Sequence, residues 1–196
     1  MATTDIEPSW VGPTHDALRA NGITVAAHVP DGGLQYLIRR LDDDDTVTTV
    51  RLATEEEGVA LAAGAWLGGA RTALLMQSSG VGNCINMLSL LHVCDVPAVF
   101  VITMRGQAGE TNPWQVPMSA AVAPCLEAMG VTVVCADEPD LVAPLVERAC
   151  HGTFDRLTGP VAVLIAQQVV GVKTFAGDQA EEQGLGHNGR ADTNHA

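Results

Sequence analysis

The chain has 196 residues, 47% of them apolar, and a formal net charge of −13 with only 10 Lys and Arg. That length and composition suit one globular domain with a full core and exclude a wholly disordered chain. The charge argues against nucleic acid or an anionic membrane surface as partner, since both need basic patches, and no apolar run approaches the roughly 18 residues of a membrane span. The opening MATTDIEPSW has neither the basic start nor the apolar middle of a signal peptide. The 5 cysteines are odd in number and widely spaced without a CxxC pair, and the histidines show no HxH or HExxH spacing. They read as small buried hydrophobes rather than disulfides or zinc ligands, in a cytoplasmic protein that holds no transition metal of its own.

After an N-terminal segment, 1–13, the pattern predicts a helix over 14–21 and a strand over 23–29 that ends in His28-Val29-Pro30-Asp31. A helix over 33–41 and a strand over 46–52 follow, separated by Asp42–Asp45, which reads as a solvated helix end. Thr54 with Glu57 three residues later is a capping box, so a helix starts at Glu55 and runs to Leu67. Its alanines and glycines leave little to bury and allow another backbone to approach closely, which points to a tight interface. Strands over 72–77 and 98–104 flank a helix over 81–93, and both are apolar on two faces, as buried parallel strands are. The run 105–117 (RGQAGETNPWQVP) breaks the rhythm and reads as a long functional loop. A helix over 119–129, a strand over 131–135, a helix over 140–150 and a strand over 160–166 complete the domain, 14–175. The remaining 176–196, without β-branched runs or aromatics and with a net negative charge, read as a disordered acidic tail. Alternation of strand and helix predicts an α/β fold: a single doubly wound domain with a six-stranded, mostly parallel sheet flanked by helices.

Ligands of such sheets bind outside the carboxyl ends of the strands, and four unusual stretches fall there: His28–Leu34, Glu55–Gly58, Gln77–Asn86 and Met104–Gly106. By local physics Glu55, Glu56 and Glu57 are all dipole-matched acids at a helix start. Asp31 is a helix cap, and His28 is a locally satisfied polar residue. The glycine turn Ser79-Gly80-Val81-Gly82 lacks the Lys-Ser or Lys-Thr of a P-loop and the third glycine of a dinucleotide site, so it reads as a turn that lets backbone approach something closely. Arg105 is either an ion-pair arginine or a group facing an anionic substrate.

Taken together, Val29-Pro30, Glu55-Glu56-Glu57-Gly58, Ser79-Gly80-Val81-Gly82 with Asn86, and Asp95-Val96-Pro97 resemble, in order and spacing, the pyrimidine-binding domain of thiamine diphosphate enzymes over about residues 14–168. The VPD turn, the EEEG run, Met104-Arg105-Gly106 and Gln115-Val116-Pro117-Met118 are most similar to sulfopyruvate decarboxylase alpha subunits, with phosphonopyruvate decarboxylase next. The resemblance implies that Glu56 is the carboxylate sharing a proton with the cofactor's aminopyrimidine. It also implies that Pro30, Gly80, Val81 and Asn86 contact the cofactor, and that Asp31, Arg105 and Gln115 contact the substrate. The family's Gly-Asp-Gly…Asn-Asn metal pattern does not occur in this sequence. Mg²⁺ and the diphosphate are therefore expected on a separate beta subunit, in a homo- or hetero-oligomer that decarboxylates a small anionic 2-oxoacid, 3-sulfopyruvate or 3-phosphonopyruvate. A partner subunit without catalytic function is the other expectation.

Overall fold

The computed structural model of the chain describes residues 6–171; residues 1–5 and the expected acidic tail lie outside the described residues. The elements follow in order as α1 (Val11–Ala20), β1 (Ile23–His28), α2 (Gln35–Asp42), β2 (Thr48–Arg51), α3 (Glu55–Leu67), β3 (Arg71–Gln77), α4 (Val81–Val93), β4 (Val99–Thr103), α5 (Gln115–Ala128), β5 (Thr132–Ala136), α6 (Pro139–Cys150), β6 (Val161–Ile165) and a single turn, α7 (Gln167–Val170). The six strands form one sheet in the order β2-β1-β3-β4-β6-β5, and all five pairings are parallel.

Parallel crossovers are right-handed, so the direction in which the chain steps across the sheet decides which face each helix covers. The steps β1 to β2 and β5 to β6 run one way, and their helices α2 and α6 pack with α1 on one face, around Leu18, Leu37, Leu41, Leu75, Val101, Val146 and Phe154. The steps β2 to β3, β3 to β4 and β4 to β5 run the other way, and α3, α4 and α5 cover the opposite face around Val59, Leu74, Met76, Leu88, Phe100, Ile102 and Leu126. The winding therefore reverses between β1 and β3, which lie side by side.

The sequence places element starts from caps and prolines, and the structure agrees where those signals are strong. At α3, the Glu57 carboxylate accepts the Ala53 N–H at 2.9 Å and the Thr54 N–H at 3.4 Å, closing the capping box. Gly58 lets that helix seat directly on the sheet, since a Cβ there would lie 2.8 Å from Leu52 Cδ1 and 3.0 Å from Leu74 Cδ2. At α5 the structure differs: the helix begins at Gln115 rather than at Ser119, because Pro117 falls in the first turn, where a missing N–H costs nothing. The loop after β4 is shortened to match.

Asp44 supplies the reason for part of the acidic run. Its carboxylate accepts from Thr46 N at 3.0 Å, from Thr46 Oγ1 at 2.8 Å, from His15 Nε2 at 3.0 Å and from Arg19 Nη1, pinning the turn between α2 and β2 to α1. These donors hold its carboxyl well below the usual carboxylate range. Cys84 and Cys150 are buried as expected, but Cys94 and Cys135 are exposed. Among the described residues no helix is long and apolar enough to cross a membrane.

Phe100 on the central strand β4 is 1% exposed. Phe100→Ala should cost about 3–5 kcal/mol, read as a fall in the urea midpoint with an unchanged slope.

Candidate active site

The carboxyl ends of β1, β3 and β4 are adjacent, and a single carboxylate ties them together. Asp31, buried in the turn after β1, accepts from Gln77 Nε2 at 3.0 Å at the end of β3 and from Thr103 Oγ1 at 2.7 Å at the end of β4. It also accepts the Gly33 N–H at 3.0 Å. The expected helix cap is thus corrected: α2 begins at Gln35 with Leu34 before it, and Asp31 is a strap across three strand ends. Pro30, beside it, is exposed at the rim.

The three glutamates divide by direction. Successive residues on a helix point about 100° apart, so only one of the three faces the glycine turn. That one is Glu55, which is 9% exposed; Glu56 and Glu57 point outward. Glu55 Oε2 accepts from Asn83 Nδ2 at 2.7 Å. Its Oε1 lies over Gly80, where a Cβ would come within 2.3 Å of it, and has no hydrogen-bond partner among the described residues. The turn Ser78–Gly80 is thereby explained: it is a recess that only glycine leaves open for the Glu55 carboxylate. The sequence reading centred on Glu56 and Asn86. In the structure both are exposed, while Glu55 is buried and is held by Asn83, itself at the surface. Asn83, three residues into α4 and opposite the start of α3, carries no spacing signal that singles it out.

Val81 is likewise displaced from its expected role. Its side chain is 1% exposed and packs in the core beneath α4, because the first α4 residue after the turn points down onto the sheet. Gln115 is half-buried and lines an open apolar groove with Ser79, Trp114 and Met118. Cys84 lies under the site, but burial, with Glu55 and Glu56 adding to it, pushes its thiol up to about 12, so it is no nucleophile.

Arg105 is 4% exposed and already committed. Its Nε and Nη2 each donate to Glu110 at 2.7 Å in a two-pronged pair, and its backbone N–H donates to Ser78 Oγ at 3.1 Å. Glu110 also accepts the N–H groups of Gly106 and Asn112 and Gln167 Nε2 at 3.0 Å each. Gln107 and Gln167 exchange two bonds, at 2.9 and 2.7 Å, in which the backbone N–H of each donates to the side-chain oxygen of the other. The loop after β4 is thus fastened to the turn after β6. The guanidinium holds the Glu110 carboxyl far below its ordinary value, with its other donors adding to the effect. Arg105 is thus an ion-pair arginine along its Nε–Nη2 edge, and among the described residues no carboxylate takes its Nη1. Nothing in the local sequence marks Glu110 as its partner, because the pairing depends on how the loop folds back.

A Val-Pro turn, an inward carboxylate at a helix start and a glycine recess thus gather at the reversal of the parallel sheet, and the fold is one shared with solved thiamine diphosphate-dependent enzymes. A solved thiamine diphosphate-dependent enzyme of Mycobacterium smegmatis, 18% identical, superposes over 87% of this chain with a TM-score of 0.67, and the chain spans 34% of that structure. No protein-family model matches the chain. The alpha subunit of sulfopyruvate decarboxylase from Methanococcus maripaludis is 33% identical over 152 residues, which cover 77% of this chain and 90% of the relative. Phosphonopyruvate decarboxylase of Streptomyces viridochromogenes is 44% identical over 92 residues, 46% of this chain and 23% of that longer protein. The chain belongs to the family of sulfopyruvate decarboxylase alpha subunits.

Glu110→Gln would leave the Arg105 charge buried without its counter-ion and should cost about 3–5 kcal/mol at neutral pH, measured by urea titration. Because the Glu110 carboxyl is depressed in the folded chain, its contribution is present above its ordinary value of 4.5 and is lost as pH falls through the lower folded value. The gap between wild type and variant should therefore narrow on acidification.

Proposed function

We propose that this chain is the alpha subunit of a two-subunit, thiamine diphosphate-dependent decarboxylase that converts 3-sulfopyruvate to sulfoacetaldehyde and CO₂. The observation that carries the reading is the inward Glu55 carboxylate with one oxygen unspent over the Gly80 recess, in a chain of this family. The recess also supports the fit of the cofactor's pyrimidine: an acceptor stands ready for a ring N–H, and no side chain projects from Gly80 beneath it.

Bound thiamine diphosphate supplies the electron sink that lets a 2-oxoacid lose CO₂. The protein's own groups do the rest. Glu55, rather than Glu56, shares a proton with the aminopyrimidine nitrogen through Oε1. Asn83 fixes Oε2 and so sets the angle at which Oε1 is offered. Asp31, held by Gln77 and Thr103, keeps the Pro30 turn in place at the rim of the site. In the reaction the bond between the carboxylate carbon and the keto carbon breaks, CO₂ leaves, and a proton takes its place. Gly80 and Pro30 stay as cofactor contacts in this reading, and Gln115 as a substrate contact.

A second subunit completes the site. It carries Mg²⁺ and the diphosphate, and it covers the outer face of α3, where Ala60, Gly64 and Leu67 are exposed and a Cβ on Gly64 would meet nothing within 4 Å. The free thiols fit a cytoplasmic setting. The identity to phosphonopyruvate decarboxylase favours 3-phosphonopyruvate as the alternative substrate.

With the partner subunit, thiamine diphosphate and Mg²⁺ present, Glu55→Gln should lower kcat for CO₂ release by at least about 100-fold, the scale of a general acid–base contribution. Glu56→Gln should stay within about threefold. The reverse order would return the role to Glu56. Initial rates on the two acids side by side should favour 3-sulfopyruvate, and this chain alone should release no CO₂ from either.

A further inference from the structure

Glu110 takes one edge of the Arg105 guanidinium, which leaves room for a second cation in reading the substrate's further anion. The cations of the chain are few, and four of the eight described are paired: Arg19 with Asp44, Arg40 with Glu7, Arg71 with Asp155 and Arg105 with Glu110. Arg51 is not. It is the last residue of β2, exposed, and among the described residues no carboxylate pairs with it.

Arg51 stands in register with His28, the last residue of β1. Residues facing each other across parallel strands share a side of the sheet, with strands about 4.8 Å apart, so the two side chains project together. They line a cavity of about 690 Å³ between α2 and the edge strand, whose mouth is the Pro30-Asp31-Gly32 turn of the site already described. His28 is 7% exposed, and its Nδ1 has no hydrogen-bond partner. An unmet polar atom on a nine-tenths buried side chain is rare and calls for a ligand or water. The expectation of a locally satisfied histidine is therefore corrected. Burial lowers the His28 pKa; Asp42 opposes that shift, and the nearby Arg51 charge reinforces it.

The walls set the sense of charge. Arg39 adds a second guanidinium from α2 and Thr49 a hydroxyl from β2. Asp31 also faces this space, but its oxygens already receive the donors of Gln77, Thr103 and Gly33. Asp42 and Asp43, at the end of α2, line the cavity too and repel an anion, so an anion is favoured only beside the guanidinium groups.

We infer that Arg51 and His28, at the ends of β2 and β1, read the anionic group on C3 of the substrate, a sulfonate or phosphonate, and so determine specificity for tailed over simple 2-oxoacids. The inference rests on the proposed decarboxylase reading. The bond that breaks joins the carboxylate and keto carbons and not C3, so the tail contact acts on binding.

The test uses the assembled complex and Arg51→Gln, an exposed edge position that leaves the fold intact by circular dichroism. The variant should raise KM for 3-sulfopyruvate roughly tenfold or more, as loss of a charge-assisted hydrogen bond does, with kcat within about threefold. A KM within twofold of wild type would overturn it. A separate arm titrates sulfoacetate, an unreactive sulfonate, calorimetrically into the complex and its Arg51→Gln and His28→Asn forms. Weaker binding in both variants supports the site; equal affinities, or no binding to wild type, sink it. Should the wild-type complex release no CO₂ from 3-sulfopyruvate, the decarboxylase reading fails, and the sulfoacetate arm still decides whether this cavity takes a sulfonate.

Discussion

A parallel crossover can close only with one hand, and this constraint orders everything else in the molecule. Because the chain steps outward from β1 to β2 and then back across β1 to β3, α2 and α3 must leave the sheet on opposite faces. Two loops that would otherwise run over the same edge are forced apart, and the sheet is left with a gap at its carboxyl end where no helix passes. Asp31, Gln77 and Thr103 meet there. Asp31 then bridges the gap from below, as its three donors come from elements the reversal brings side by side.

Within that gap the glutamate run shows how little separates a structural acid from a chemical one. Glu55, Glu56 and Glu57 are chemically identical and consecutive, and all three suit the start of a helix. What distinguishes them is azimuth. Glu57 reaches back to cap Ala53 and Thr54, Glu56 faces outward, and Glu55 turns in over Gly80. Gly80 and Asn83 are the counterparts that give this inward position its meaning.

The strands were legible because buried parallel strands must be apolar on both faces, and β3, β4 and β6 have no other way to be read. Helix α3 was legible because its capping box is a local signal spanning four residues. Which glutamate points inward was not, since a one-residue shift in azimuth leaves the sequence pattern unchanged. The same holds for Arg105: its position at a strand end was visible, but the loop that returns Glu110 to it is five residues long and fixed by tertiary contacts with Gln107 and Gln167. Asp44 was hidden for a similar reason, its partners lying on α1. Sequence patterns record periodicity and caps; they do not record which of several equivalent polar groups finds a partner from a distant element.

The exchange between Gln107 and Gln167 has a consequence on the scale of inheritance. Each side chain caps the backbone of the other, and Gln167 also donates to the Glu110 carboxylate. Replacing Gln167 by glutamate would turn that donor into a second negative charge against Glu110, and shortening either glutamine would strand a backbone N–H of the other segment. Sixty residues apart in the chain, the two positions are selected as one trait: drift at either is held in check by the other, and descendants of this protein should carry both glutamines or neither.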